Sequence, residues 1–482
     1  MVTGILILFP LISALALIGL KEGRWVKTIA LAGSIIEFLI SLFVLYIFVT
    51  QCHCQLKLNL AWLPGLGINF SFAMDGISML LVLLTTFLTP IIIAASFQAG
   101  YKNLSSFLAL ILFMETAFIG VFTATDGLMF YIFWELALIP AYFITAIWGG
   151  HDRIRITFKF FIYTFSGSLL MLVALIWLYF HTPSPHSFSL AALYQVRSDA
   201  STQALLFIAM FLAFAVKIPI FPFHTWQPDT YAEAPAGGTM ILSGIMLKMG
   251  LYGMIRLVLP LCPVTLKEYG IWAMILAVSG IVYASVIAIR QSDLKRLVAY
   301  SSIAHVGLIA AGILAARIIS LEGAMIQMVS HGINIVGLFF MISIIEDRVG
   351  TRSIKSLGGI AISAPWFAAF FLVILLGAIA LPLTNGFIGE FLLLLGIFQW
   401  NHWIGGIAGL TIIFSAVYML WMYQRTMLGR ESEGTYKFGD LTRKEILILT
   451  PLVIMIFWIG LFPSFFLHMV EPAIWEILYI MH

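Results

Sequence analysis

Apolar stretches of about 20 residues, the length needed to cross a hydrocarbon core, recur from one end of the chain to the other, separated by short segments carrying Lys, Arg, Asp, Gly and Pro. Breaking the sequence at that punctuation predicts fourteen helical spans, near residues 3–20, 28–50, 77–97, 105–124, 127–148, 158–180, 203–224, 237–259, 269–289, 294–316, 320–345, 364–399, 404–424 and 446–468. The first window is followed, not preceded, by Lys21, Arg24 and Lys27, the pattern of a retained first helix with its N-terminus outside. Alternating the spans from there puts eighteen of the 25 Lys and Arg on inner loops and four on outer ones, a positive-inside bias that leaves both termini outside.

Two spans are interrupted. Lys217-Ile218-Pro219-Ile220-Phe221-Pro222-Phe223-His224 breaks the seventh and Leu381-Pro382-Leu383-Thr384-Asn385-Gly386 the twelfth, because proline removes a backbone donor and clashes with the preceding turn. Discontinuous helices at membrane depth survive only where protein or water satisfies the freed groups, and paired interruptions in two halves point to an ion path. The breaks lie five spans apart, which fits two inverted five-helix repeats, spans 4–8 and 9–13. The expected organisation is therefore 1–104 for the first three helices, 105–259 and 260–430 for the repeats, and 431–482 for span fourteen.

Composition agrees with an all-α integral membrane protein: 62% of the 482 residues are hydrophobic, 10% are charged, and the mean hydropathy is +1.07. No stretch is left for a sizeable water-soluble domain. A net charge of +3 gives no reason to expect a nucleic-acid partner. Of three cysteines, Cys52 and Cys54 flank His53, too close for an easy disulfide and short of a full metal set, so no metal site is expected.

A charge at the bilayer centre costs at least about 2.5 kcal/mol on the most lenient scale, which makes each embedded ionisable residue a functional candidate. The candidates are Glu135 in the fifth span, Lys217 before the break of the seventh, Lys248 in the eighth, His305 and His331 in the tenth and eleventh, and Glu390 after the break of the twelfth. A lysine that gains or loses a carboxylate partner switches between holding and releasing its proton, and histidine suits relay positions. Ser301, Ser302 and His305, and likewise Gln327, Ser330, His331 and Asn334, recur at helical spacing and predict polar stripes able to hold water. Arg256, near a helix end, reads as a side chain reaching back to the interface. Glu115 reads as a structural or a functional carboxylate with equal justification, and Glu37 reads more readily as a structural one.

The sequences Phe133-Trp134-Glu135-Leu136, Ile139-Pro140, Lys217 through Pro235 (KIPIFPFHTWQPDTYAEAP), Lys248-Met249-Gly250, Asp293 through Gly307 (DLKRLVAYSSIAHVG), Ser330-His331-Gly332 and Gly386 through Phe391 (GFIGEF) resemble the antiporter-like membrane subunits of respiratory complex I over nearly the whole chain. Within them the chain is most similar to the chain M type, the counterpart of mitochondrial subunit 4. Glu390 stands where the chain L and chain N types carry lysine, and no long lateral helix follows span fourteen. Leu383 and Asn385 depart from the Pro-Gly-Thr pattern common there, which puts the shape of that loop in question.

The resemblance implies a proton-translocating subunit with no redox centre of its own. In that scheme Glu135 pairs with and modulates Lys217, Lys248 continues the path, His305 and His331 link the halves, and Glu390 ends it toward the outer side. NADH, FMN, iron-sulfur clusters and quinone would belong to partner subunits. Implied neighbours are chain L-like and chain N-like subunits, with lipid around them and protons as cargo, in a bacterial inner membrane with periplasmic termini. The competing assignment is a subunit of a multisubunit sodium/proton antiporter or a membrane-bound hydrogenase.

Overall fold

The computed structural model describes residues 2–20, 22–50, 56–432 and 434–481. Cys52, His53 and Cys54, on which the metal question turned, lie outside the described residues. The elements in order are α1 (Val2–Ile18), α2 (Arg24–Thr50), β1 (Leu58–Leu63), β2 (Ile68–Phe72), α3 (Gly76–Ser96), α4 (Leu104–Thr123), α5 (Gly127–Trp148), α6 (Arg153–His181), α7 (Ala200–Lys217), α8 (Gln227–Glu233), α9 (Ala236–Leu261), α10 (Pro263–Arg290), α11 (Leu294–Leu314), α12 (Ile318–Val349), α13 (Pro365–Ala378), α14 (Asn385–Trp400), α15 (His402–Met427), α16 (Arg443–Leu461) and α17 (Ser464–Met481). Thirteen helices among the described residues are long and apolar enough to cross a membrane, and α1, α13 and α14 are shorter apolar helices.

The seventh and twelfth spans are each two helices, as the prolines predict: α7 and α8 for one, α13 and α14 for the other. Two features depart from expectation. An antiparallel β-hairpin pairs Leu58 with Phe72 and Leu60 with Phe70 in the segment after α2, so the fold is not purely helical. The region expected to close one span at 468 instead breaks at Phe462-Pro463 and starts a separate helix, α17.

α17 does not run alongside its neighbours. The carbonyl of Met469 lies against the first residue of α3, Gly76, while Glu476 and Tyr479 stand beside Ala73 and Asp75 at that same end of α3. The charge of Glu471 also acts on Glu322 at the start of α12. Seven residues of helix rise about 10 Å, so a helix touching one end of α3 at both places lies across the bundle. Thr3 at the start of α1 donates to the Leu56 carbonyl beside the hairpin (2.8 Å). Both ends of the chain are therefore on one side, called the hairpin face below.

α12 is enclosed on every side by α3, α9, α11, α13, α14, α16 and α17, whereas α2, α15 and α16 turn most of their apolar surface outward. Outward apolar surface is the expected state of a lipid-facing helix, since lipid tails are as apolar as leucine. On the opposite face, charged residues tie helix ends together: Asp229 of α8 meets Lys159 (3.1 Å) and Arg296 (2.8 Å), Lys295 meets Glu346 (2.9 Å), and Arg348 meets Glu445 (2.6 Å).

A Cβ added at Gly76 would lie 1.7 Å from the Met469 carbonyl oxygen. Gly76→Ala is expected to lift α17 off α3 at a cost of about 1–3 kcal/mol. Limited proteolysis checks this: the variant should lose residues beyond 463 faster than the unmodified chain, and equal rates would count against the contact.

Candidate functional site

The path begins where helices are irregular. α9 contains two π-helical turns, Leu242–Met246 and Met254–Val258, on either side of the regular segment Leu247–Gly253 that carries Lys248. Such turns concentrate at functional sites. Next to the first of them the chain needs glycine on both helices: a Cβ at Gly332 of α12 would lie 3.0 Å from the Gly244 carbonyl, and one at Gly244 would meet Val336 at 2.6 Å. This close approach brings α9 within side-chain reach of α12.

Lys248 is fully buried. Its Nζ donates to the Ser243 carbonyl (2.8 Å) and lies 2.9 Å from Nδ1 of His331. His331 Nε2 is 3.0 Å from the Ser302 hydroxyl of α11. His305, one turn along α11, holds its Nδ1 at 2.7 Å from the Ser301 carbonyl and its Nε2 at 3.2 Å from Glu390 Oε1. That separation is an ion-pair distance, although the approach is off the line of a good hydrogen bond. Gln327 donates to the same Glu390 oxygen at 3.3 Å. The histidine rings are 6.4 Å apart, and beside both lies a cavity of about 20 Å³ lined by the polar Ser301, His305, Gln327, His331 and Asn334 and by the apolar Ile335, Leu338, Ala378 and Met419. A site of that size with several polar walls has room for one water molecule.

The break of the twelfth span is pinned to α12. Asn334 and Asn385 exchange amide hydrogen bonds (3.1 and 3.2 Å), and the Ser330 hydroxyl donates to the Asn385 carbonyl (3.0 Å). Ala380 and Leu383 hold left-handed backbone conformations (φ 58° and 76°), uncommon outside glycine, and these contacts offset that cost. The loop whose shape the departures at Leu383 and Asn385 put in question is thus fixed by Asn385 itself. In the seventh span the Trp226 indole donates to the Val216 carbonyl (2.9 Å), supplying a partner that the proline break removes.

The other two candidates sit apart. Lys217 is 2% exposed, its Nζ 5.0 Å from the centre of the Trp134 ring. Glu135 is half-buried, lies toward Ser168 of α6, and acts on Lys217 through space without contacting it. Ile218 fills the groove over Gly250, which sets Lys217 next to the Lys248 segment, but no polar side chain bridges the two lysines among the described residues. The structure therefore joins Lys248, His331, His305 and Glu390 and leaves Glu135 with Lys217 as a separate pair. Glu37 and Glu115 are fully buried, with Glu115 under the charge of Glu37 and beside Thr89, and neither joins the contacts above.

Arg256 corrects its sequence reading. It does not reach out to the interface: its side chain is 12% exposed and bonded to Asp75 and Ser78. Sequence reasoning passed over Asp75 and Tyr252 altogether, although Lys248, Tyr252 and Arg256 recur every four residues along α9. That spacing was the available signal.

The family described as "NADH:quinone oxidoreductase/Mrp antiporter, TM" matches residues 124–416, which include every candidate above except Glu37, Glu115 and Asp75. NADH-quinone oxidoreductase subunit M of Rickettsia conorii is 41% identical over 99% of this chain and 98% of its own length. A chain of respiratory complex I from Thermus thermophilus with bound NADH superposes with a TM-score of 0.92 at 30% identity, covering 100% of both chains. A chain of the membrane-bound sulfane sulfur reductase, an archaeal respiratory membrane complex, superposes with a TM-score of 0.87 at 23% identity, over 97% of this chain and 77% of that one.

Replacing one member of the amide pair, as in Asn385→Leu, leaves the other buried amide unsatisfied, at a cost of about 1–3 kcal/mol. Thermal unfolding in detergent should show Asn385→Leu lowered, and Asn334→Leu/Asn385→Leu recovering part of the loss. A single variant as stable as the unmodified chain would contradict the pairing.

Proposed function

This chain belongs to the NADH:quinone oxidoreductase/Mrp antiporter membrane family, and from that premise we propose that it carries protons across the membrane arm of a respiratory NADH:quinone oxidoreductase through Lys248, His331, His305 and Glu390. The observation that carries the reading is the run of contacts itself: four ionisable side chains from α9, α12, α11 and α14, all 6% exposed or less, placed end to end with polar gaps no longer than one water. A proton-conducting series needs this order, because a proton moves between heavy atoms at hydrogen-bond distance or through one intervening water.

Each group has a distinct task. Lys248 delivers or takes a proton at His331 Nδ1. His331 and Ser302 turn the path from α9 to α11, the one-water cavity spans the distance to His305, and Glu390 receives the charge on the oxygen that Gln327 also holds. Lys217 and Glu135 control occupancy from a distance: the through-space action of Glu135 depends on its ionisation, and Lys217 stands between it and Lys248. The two interrupted spans lie at corresponding places of two inverted repeats, spans 4–8 and 9–13, so each half supplies one break and one set of ionisable groups.

Redox chemistry is assigned to partner subunits that hold NADH, flavin, iron-sulfur clusters and quinone, with chain L-like and chain N-like subunits as neighbours in the membrane. The hairpin face, which carries both chain ends, is assigned to the outer side of a bacterial inner membrane, in keeping with the basic residues on the opposite loops. The near-complete mutual coverage with subunit M favours this assembly over the sulfane sulfur reductase, whose likeness at 23% identity is one of fold.

The test uses the assembled oxidoreductase in sealed membrane vesicles. Lys248→Ala and Glu390→Gln are expected to leave assembly intact and to lower NADH-driven proton uptake at least tenfold, and Lys217→Ala several-fold. Uptake and quinone-linked turnover at the unmodified level in both Lys248→Ala and Glu390→Gln would remove this path.

A further inference from the structure

A cavity of about 750 Å³ opens on the hairpin face and belongs to none of the groups assigned above. Its walls include the loop residues Ala191, Tyr194 and Arg197 and the cross-lying helix α17 through Glu476 and Tyr479. Its floor is charged. Arg256 bonds to Asp75 and reaches the Ser78 hydroxyl at 3.3 Å, while Ser78 lies 3.2 Å from the Tyr252 hydroxyl. Tyr252 Oη donates to the Phe122 carbonyl (2.8 Å), and Tyr194 Oη donates to the Arg256 carbonyl (2.8 Å). Arg256 Nε is buried with no hydrogen-bond partner. Burial alone pushes the Asp75 carboxyl up, but the charge and hydrogen bonds of Arg256 outweigh it and hold the group below the usual carboxylate range.

Such a floor is costly to build. A buried ion pair seldom stabilises more than apolar packing of the same volume, so a pair whose second side opens on a large cavity invites a reason other than stability. The geometry of α9 supplies one. Lys248, Tyr252 and Arg256 are spaced four residues apart, and Leu247–Gly253 is a regular α-helix, so Lys248 and Tyr252 stack on one face with Cβ atoms about 5–6 Å apart.

We propose that this cavity is the vestibule through which the Lys248 path opens to the hairpin face, with Tyr252 and Ser78 passing the proton and the Asp75–Arg256 pair anchoring the vestibule floor. The inference rests on the reading that Lys248 carries protons. In this structure Lys248 Nζ points back to Ser243 and His331. Its four-carbon stem is flexible, and once it leaves His331 it can swing over one turn toward Tyr252. As the Tyr252 O–H turns from the Phe122 carbonyl to the Ser78 oxygen and the Ser78 O–H turns to the vestibule, the lysine gives an N–H proton to the Tyr252 oxygen, the Tyr252 proton passes to Ser78, and the Ser78 proton passes to vestibule water. Only N–H and O–H bonds are exchanged, and rotation of the hydroxyls resets them. Arg256, permanently charged, keeps other cations from entering the route from the vestibule. Lys248 thus contacts His331 or Tyr252, but not both at once, which separates the central path from the vestibule.

The experiment compares Tyr252→Phe, Ser78→Ala and Lys248→Ala in the assembled oxidoreductase, with complex content checked on native gels and proton uptake read in sealed vesicles. The two hydroxyl variants keep their packing, and each is expected to lower uptake at least threefold. If Lys248→Ala abolishes uptake while both hydroxyl variants match the unmodified complex, the vestibule route is overturned and the central path stands. If Lys248→Ala itself pumps normally, the underlying reading falls. A second measurement does not depend on the hydroxyls: Ala191→Cys, placed on the vestibule wall in a background lacking Cys52 and Cys54, is treated with a membrane-impermeant cationic thiol reagent. Inhibition from the hairpin face only is expected, and full labelling without loss of uptake would contradict the route.

Discussion

Polar side chains inside a membrane protein must find their partners within the protein, because the hydrocarbon around it offers none. In this chain that constraint selects α12 as the organising element. It is enclosed on all sides, and its polar stripe meets three helices: Gln327 and Asn334 reach α14, and His331 reaches α9 and α11. A helix facing lipid on any side could not carry that stripe. The same residues therefore hold the bundle together and align the ionisable groups, and the two roles cannot be separated by position.

The irregular backbone follows from this arrangement. Regular packing would keep the axes of α9 and α12 typically about 8–10 Å apart. Paired glycines at positions 244 and 332 and the π turns of α9 close that distance, so that a lysine amine meets an imidazole at 2.9 Å. The breaks beside Pro219, Pro222 and Pro382 do the corresponding work for Lys217 and Glu390, each placing a charged group beside a helix end in the bundle interior. The freed Val216 carbonyl is taken up by Trp226 in one break, and in the other Ser330 ties the first residue of α14 to α12.

Much of this could be read before any coordinates, because lipid imposes a strong and simple pattern. Apolar length located the crossings, proline located both breaks, and the cost of embedded charge singled out Lys217, Lys248, His305, His331 and Glu390. What stayed hidden was three-dimensional. Hydropathy cannot say that residues beyond 463 lie across the bundle, since a helix on the surface and one through it differ only in orientation. The hairpin at 58–72 lies in a segment too short and mixed for a span. Arg256 looked like an end residue because its partner, Asp75, is 181 positions away. Nor does spacing reveal that Glu135 and Lys217 stand apart while Lys248 and His331 touch.

The central claim is that the two imidazoles belong to one conducting series although their rings are 6.4 Å apart. A density map of the assembled complex fine enough to resolve ordered water tests it most directly. The account predicts one water between His305 and His331, hydrogen-bonded to both rings or to one ring and Asn334. A gap filled by apolar side chains, or histidines drawn apart with no water between them, would contradict it.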